Sequence, residues 1–535
     1  MTDQRNLPLS STPSPQDIRS ITGAAGIIGA ATLTSRILGF IRDIVLAQLF
    51  GASASADAFY VAYRIPNLLR ELFAEGSMSS AFIPVFTEYH TLRSKKEAWE
   101  LASAAFTTLL TIVTGVTILG ILAAPGIVWV LAPGFHEEAA QLATTTLLTQ
   151  VMFPYLLFIS LAALAMGVLN SLRAFAFPAL APVFFNVCVI FFALGISPWF
   201  QEPIIGVAVG VAVGGLVQFL VQLPAIRKHG MLFTWRFQPG HPGVRRMGQL
   251  IVPTLVGMSV TQVNITVNTI LASYYSGGPT YLFYGMRLVQ FPLGIFGVAL
   301  ATAILPTLSA QAARGAREDL RVTINYGIRM ILFIILPAMT GLMFLREPIV
   351  HLFFEHGAFS AQDTAATAGA LLAFAVGLWA FAAYRILAAA FYSLQDTKTP
   401  AIAAVVGMAA NLAFALLLMK PLEYRGLALA AALAAMINSG VLLTILTRRL
   451  GGLNGITLGK SIARTAVALV PVVIASYWVS GLAVWGREAQ WIAKSVMLFV
   501  GIGLSATGYF GVHALLRSEE LEGSWGLVKK KLLAR

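Results

Sequence analysis

Seven arginines lie inside stretches otherwise built from apolar residues: Arg36, Arg42, Arg64, Arg70, Arg287, Arg329 and Arg385. Asp43, Asp57, Glu71 and Glu75 share those stretches. A charge at the centre of a membrane helix costs roughly 2.5–3.5 kcal/mol on insertion scales, so it faces a partner or a polar interior. The planar guanidinium fork offers paired N–H donors, a geometry matched to phosphate. Such residues in such a setting suit the grip of a large anion with several oxygens rather than bond-making chemistry.

Spacing refines this. In SRILGFIRD, Arg36 and Arg42 lie about 120° apart on an ideal helix, so both line one cavity only if it is wide or the helix bends, for instance at Gly39. In the next stretch Asp57, Arg64, Glu71 and Glu75 fall within roughly 40° of one another, a polar stripe interrupted by Pro66. Arg70 points elsewhere unless Pro66 rotates the helix beyond it. Pairing that glues helices together is the alternative role for Asp43, Asp57, Arg64 and Glu71. Arg287, in YGMRLVQFP, has no acid within a turn of sequence, and Arg385 sits in an otherwise apolar stretch. Arg329 lies near a span end and reads as snorkelling. Gly257, Thr261, Asn264 and Asn268, spaced four, three and four apart, read as helix-packing glue.

Other chemistry finds little support. Gly455-Ile-Thr-Leu-Gly459-Lys460-Ser461 is one residue short of a phosphate loop and follows an apolar helix rather than a strand. The seven histidines form no HExxH or repeated metal spacing, and His351 and His356 read as surface residues beside an aromatic loop. Cys188 reads as a small packing residue. Asp396 and the Glu318-Asp319 pair are too sparse for a metal-dependent enzyme acting on polyprenyl phosphates. No cofactor or metal is expected.

The elements that must position these charges follow from composition. Of 535 residues, 58% are hydrophobic and only 11% charged, against about a quarter charged in soluble domains. Mean hydropathy is +0.79. So few charges cannot cover so much apolar surface, and a span needs about 20 mainly apolar residues. The fold class is an all-α polytopic membrane protein, because backbone groups in lipid must bond within each segment. Fourteen spans are expected, near 22–49, 57–88, 98–131, 139–170, 176–196, 204–226, 247–274, 281–310, 322–345, 364–392, 400–419, 426–447, 465–484 and 492–516. With the N-terminus inside, inner segments hold 24 Lys and Arg and outer loops five. The net charge of +13 is therefore a topology signal rather than a nucleic-acid footprint, and both termini face the cytoplasm.

An internal repeat runs at an offset of about 222 residues. SLRAFAFPA (171–179) matches SLQDTKTPA (393–401); Arg64 before Pro84 matches Arg287 before Pro306; Gly134-Phe135 matches HGAF around Gly357. Each copy holds six spans, so two pseudo-symmetric lobes are expected, with a central cationic site near the midplane. The expected layout is a disordered tail over 1–21, a first lobe over 22–228 and a basic linker over 229–246. A second lobe over 247–449 follows, then a final helix pair and basic tail over 450–535.

With these residues in place, the chain resembles the MurJ (MviN) lipid II flippases of the MOP superfamily. The resemblance rests on SRILGFIRD, ADAFYVAYRIPNLLRELFAEGSMSSAFIPVF, APGF, FYGMRLVQFPLGIFGVALATAILP and FYSLQDTKTP, and is weakest over the last two helices. It implies a flippase in the bacterial inner membrane that carries undecaprenyl-pyrophosphate-linked peptidoglycan precursor, lipid II, to the outer leaflet by alternating access. It places functional arginines at Arg36, Arg42, Arg70 and Arg287 and cavity acids at Asp57 and Glu75; Arg64 joins them from the stripe. It also implies a polyprenyl groove beside the final helix pair, and cell-wall synthesis or division machinery as partners. Met286 stands where family members often carry an acid, a departure from the family's pattern at a position of counter-charge or ion coupling. Another MOP-type exporter, for polysaccharide lipids or for drugs and cations, is the alternative; an arginine-rich cavity argues against a cation.

Overall fold

The computed structural model describes residues 15–71, 78–231, 233–482, 485 and 491–523. Among these residues there is no β-strand. The helices are α1 (Pro15–Phe50), α2 (Ala54–Arg70), α3 (Met78–Leu92), α4 (Lys95–Leu131), α5 (Ala139–Met152), α6 (Pro154–Ser171), α7 (Ala176–Phe191), α8 (Pro203–Leu220), α9 (Leu223–Lys228) and α10 (Pro242–Ala272). They continue with α11 (Gly278–Pro292), α12 (Val298–Ala313), α13 (Arg317–Phe344), α14 (Arg346–Phe354), α15 (Ala361–Ala375), α16 (Leu378–Ser393), α17 (Lys398–Leu450), α18 (Gly455–Ser480) and α19 (Trp491–Leu515).

Several breaks have visible causes. Pro154 opens α6 directly after α5, where a ring without an N–H suits a helix start and not a helix interior. A π turn over Leu293–Gly297 follows Pro292 and joins α11 to α12. Inside α17, Glu423 has φ 52° and ψ −139°, so two helices meet there, and the expected spans 400–419 and 426–447 both lie within α17. A Cβ on Gly426 would stand 2.2 Å from the Leu418 carbonyl oxygen, so that turn admits glycine alone. The expected spans fall largely on helical segments, except that residues 72–77 of the span 57–88 lie outside the described residues. Among the described residues, ten helical stretches are long and apolar enough to cross a membrane, with α17 counted once; α1, α2–α3 and α10, which carry many of the polar residues above, are outside that ten. The chain is a multi-pass membrane protein.

The chain forms two compact units. The first holds the described residues up to Val45, with Ala62–Pro125 and Thr146–Val256; the second holds Leu46–Val61, Gly126–Thr145 and the residues from Gly257 onward. In the first unit α6 and α7 pack against α8. Gly206, Gly210 and Gly214, one turn apart on α8, meet Ser197, Phe192 and Phe185, and a Cβ at any of them would stand within 3 Å of its neighbour. In the second unit α13, α18 and α19 share a core of Met330, Phe333, Ala468, Val472 and Tyr509.

The repeat is reproduced bond for bond at the ends of α6 and α16. Ala174 N–H donates to Leu169 O at 2.8 Å, and Asp396 N–H to Phe391 O at 2.9 Å. Arg173 and Gln395 both take left-handed φ, 59° and 58°. The matched glycines also share a role: a Cβ on Gly134 or Gly357 would stand 2.2 or 2.4 Å from the carbonyl oxygen of Ser273 or Gln48. Two distant segments of one sequence thus fold to the same local geometry.

Candidate functional site

In the first unit the arginines of α1 have different surroundings. Arg36 is exposed, whereas Arg42 is half-buried. Arg42 donates through Nε and Nη2 to Asp43 Oδ1 at 3.1 and 2.7 Å, and through Nη1 to Asn186 Oδ1 at 3.2 Å. Asn186, on α7, donates from Nδ2 to the carbonyls of Ser35 and Pro182 at 3.2 and 3.1 Å. Asp43 is fully buried. An arginine aimed from two sides and charge-balanced from below is a fixed donor head. Asn186 was not legible in the sequence, because its partner lies 144 residues away.

Further along α2, the expected stripe is divided. Arg64 is half-buried, with Glu71 close enough for their charges to interact. Asn67 donates to Glu71 at 3.1 Å and accepts from Arg70 Nε at 3.0 Å, while Arg70 and Glu71 stand 3.7 Å apart. Arg70 thus shares a polar group with Glu71 despite its offset on an ideal helix. Glu75 lies outside the described residues.

Asp57 belongs to the second unit and serves a different element. Its Oδ2 accepts the Gly277 N–H at 2.6 Å; its Oδ1 accepts the Thr280 N–H at 3.1 Å and the Thr280 hydroxyl at 2.6 Å. The carboxylate therefore caps the N-terminus of α11, satisfying orphan donors where the helix dipole favours negative charge. Gly277, at φ 73°, shapes the entry to that helix. One turn on, the Tyr60 and Tyr284 hydroxyls are 2.7 Å apart and Tyr60 stacks on Phe283 at 4.2 Å. Beyond them on α11 is the half-buried Arg287, on the face that carries Thr280 and Tyr284. On α16, Arg385 is exposed; a Cβ on Gly297 would come within 3.3 Å of its chain.

Other second-unit residues take structural roles. Asn411 donates from Nδ2 to Oδ1 of Asn264 and Asn268 at 2.7 and 2.9 Å, joining α17 to α10 as helix glue. Arg329 does not snorkel. It is buried, with Nε on Glu520 and Nη2 on Glu519, each at 2.7 Å. Burial raises the Glu520 carboxyl, but the Ser461 hydroxyl, its own backbone N–H and Arg329 outweigh this and hold it below the usual range. His351 is no plain surface residue either: its Nδ1 meets Glu355 at 2.8 Å and its Nε2 meets Lys494 at 2.7 Å. No cluster of three potential metal ligands occurs among the described residues.

The fold and the charged helix interiors define a class: a polytopic helical transporter. A solved "inward-facing conformation of a multidrug resistance MATE family transporter of the MOP superfamily" shares this fold at TM-score 0.66 and 14% identity, over 81% of this chain and 99% of that one. A solved "Lipid II flippase MurJ, inward closed conformation" aligns at TM-score 0.74 and 27% identity, over 92% and 99%. The family described as lipid II flippase MurJ matches residues 46–498. A "Probable lipid II flippase MurJ" from Vibrio cholerae is 38% identical over 92% of this chain and 95% of its own length. The "Lipid II flippase MurJ" of Burkholderia cenocepacia is 34% identical over 91% and 95%. This chain belongs to the lipid II flippase MurJ family.

Proposed function

We propose that the protein carries lipid II from the inner to the outer leaflet of the bacterial inner membrane, with both termini cytoplasmic. The observation that carries this reading is the family match across residues 46–498. In this reading the residues that grip the pyrophosphate are Arg36, Arg42, Arg64, Arg70 and Arg287. Each guanidinium offers donors in a plane, and several together spread the load of a multiply charged headgroup. Asp57 and Glu75 complete the proposed set: Asp57 by holding α11, which carries Arg287, and Glu75 as a counter-charge when substrate is absent. The substrate passes by alternating access. Cell-wall synthesis or division proteins are the partners this reading implies, since they make and consume lipid II.

The test is lipid II exposure in cells depleted of this protein and complemented with wild type or Arg287→Ala. A lipid II-cleaving toxin added outside reports exposure. Exposure restored by wild type alone supports substrate and arginine together. Full restoration by Arg287→Ala removes that arginine from the site. Exposure unchanged on depletion, in a strain with no second flippase, overturns the substrate.

A further inference from the structure

The stretch 229–246, expected as a plain basic linker, is pinned along the first turns of α4. The Thr234 N–H donates to Ser103 Oγ at 3.3 Å and the Arg236 N–H to Thr107 Oγ1 at 3.2 Å. Phe233 stacks on Phe106 at 4.3 Å, and Arg236 pairs with Glu100 at 3.2 Å. His241 packs against Tyr89, with ring centres 5.9 Å apart. The strap is thus built into the first unit.

Its outward side is unusual. Trp235 is 73% exposed and Phe237 52%. Two large aromatics held in water would be a costly surface on a soluble face. Their level on α4 says what covers them. Glu100 is the last charged residue before an uncharged run to Leu131, so the strap's contacts at residues 100–107 lie where α4 enters hydrocarbon. At 1.5 Å per residue, the 37-residue α4 spans roughly 55 Å against a hydrocarbon core of about 30 Å, so its first turns reach into the headgroups. Aromatic rings are at home at that boundary.

Charge points the same way. The strap carries Arg236, Arg245 and Arg246 and no acid. Arg236 and Arg246 are engaged by Glu100 and Glu88, the latter at 2.7 Å. Arg227, Lys228 and Arg245 are exposed and form no ion pair among the described residues. Cations at a membrane surface attract anionic headgroups, at about a fivefold gain each.

We propose that this strap, with the end of α9 that precedes it, is an interfacial lipid-binding surface, in which Trp235 and Phe237 occupy the headgroup–acyl boundary while Arg227, Lys228 and Arg245 hold anionic phospholipid headgroups. The site is separate from the arginines assigned to substrate and does not depend on what the protein transports.

The full-length protein in phosphatidylglycerol–phosphatidylcholine liposomes tests this. The emission difference between wild type and Trp235→Phe isolates the signal of Trp235. That signal should be quenched by lipids nitroxide-labelled near the headgroup and spared by aqueous iodide. Labelled phosphatidylglycerol should quench more than labelled phosphatidylcholine, and Arg245→Ala should cut that preference roughly fivefold. Quenching by iodide with none from lipid overturns the surface. Equal quenching by the two lipids overturns the anionic assignment. Protection from iodide that rises with protein concentration in detergent would mark a second copy as the occupant, and also overturns it.

Discussion

Arg42 and Asp57 lie on consecutive helices, and the molecule stabilises them in opposite ways. Arg42 is balanced by Asp43, its sequence neighbour, and steadied by Asn186. Asp57 is held by two backbone N–H groups and a hydroxyl at the start of α11, 220 residues away at Gly277. In the first arrangement the charge is balanced by the next residue, while Asn186 ties α1 to α7. The second exists only while α2 and α11 stay in register. One charge is thus neutralised by its sequence neighbour, the other by an element that folds back onto it from far along the chain.

The comparison can be broken most decisively at Asp57. Asp57→Ala strands two buried N–H donors, at roughly 1–3 kcal/mol each, so it should lower the thermal stability of purified protein and abolish lipid II exposure in complemented cells. Normal exposure would remove the α2–α11 contact from the transport cycle. Arg42→Ala leaves Asp43 buried without its cation, a loss of about 3 kcal/mol, with exposure abolished in the same assay. Adding Asp43→Asn should return most of the stability and none of the flipping; recovery of flipping would show that Arg42 serves only to neutralise Asp43.

Asn186→Ala sharpens the contrast. Losing its bonds to Arg42 and α1 should cost about 1–2 kcal/mol and reduce flipping without abolishing it. If flipping is lost as fully as in Arg42→Ala, Asn186 touches substrate itself.

Asp396, at the turn between α16 and α17, supplies a control outside the proposed site residues. It accepts the Thr399 N–H at 2.9 Å and hydroxyl at 2.6 Å, and pairs with Arg449 at 2.6 Å. The Thr399 bonds, followed by Arg449, hold its carboxyl below the usual range. Asp396→Ala should cost about 1 kcal/mol, as for a lost helix cap, with flipping unchanged. A depressed carboxylate stabilises fully above its unfolded pKa and loses that contribution as pH falls through its folded value. Melting curves of wild type and Asp396→Ala should therefore keep their separation from pH 7 to 5 and converge only in acid below about pH 4.

Much of the fold was legible because spans are written in local composition. The apolar runs foretold helical segments, and the match of SLRAFAFPA with SLQDTKTPA, read as a repeat, coincides with two turns of the same local geometry. Positions whose meaning is set by a distant residue were not legible. Arg329 looked like a snorkelling side chain because Glu519 and Glu520 lie 190 and 191 residues further on. Asp57 looked like a member of the Arg64–Glu71 stripe, since helical periodicity cannot see the amides of α11. Stretch 229–246 looked like a linker because its bonds run from backbone N–H groups to Ser103 and Thr107, which leave no mark in side-chain pattern. Arg70 joined Glu71 through Asn67, a bridge that an ideal helical projection does not show.

The distance between Asp57 and its partners also sets an order of assembly. A ribosome adding roughly 5–20 residues per second makes Asp43 at once after Arg42, but reaches Gly277 some 10–40 s after Asp57. For that interval the nascent chain holds a carboxylate near the membrane with its final donors not yet made. Water, the insertion machinery or a chaperone must shelter it, and a mutation that slowed synthesis before Gly277 would lengthen the wait.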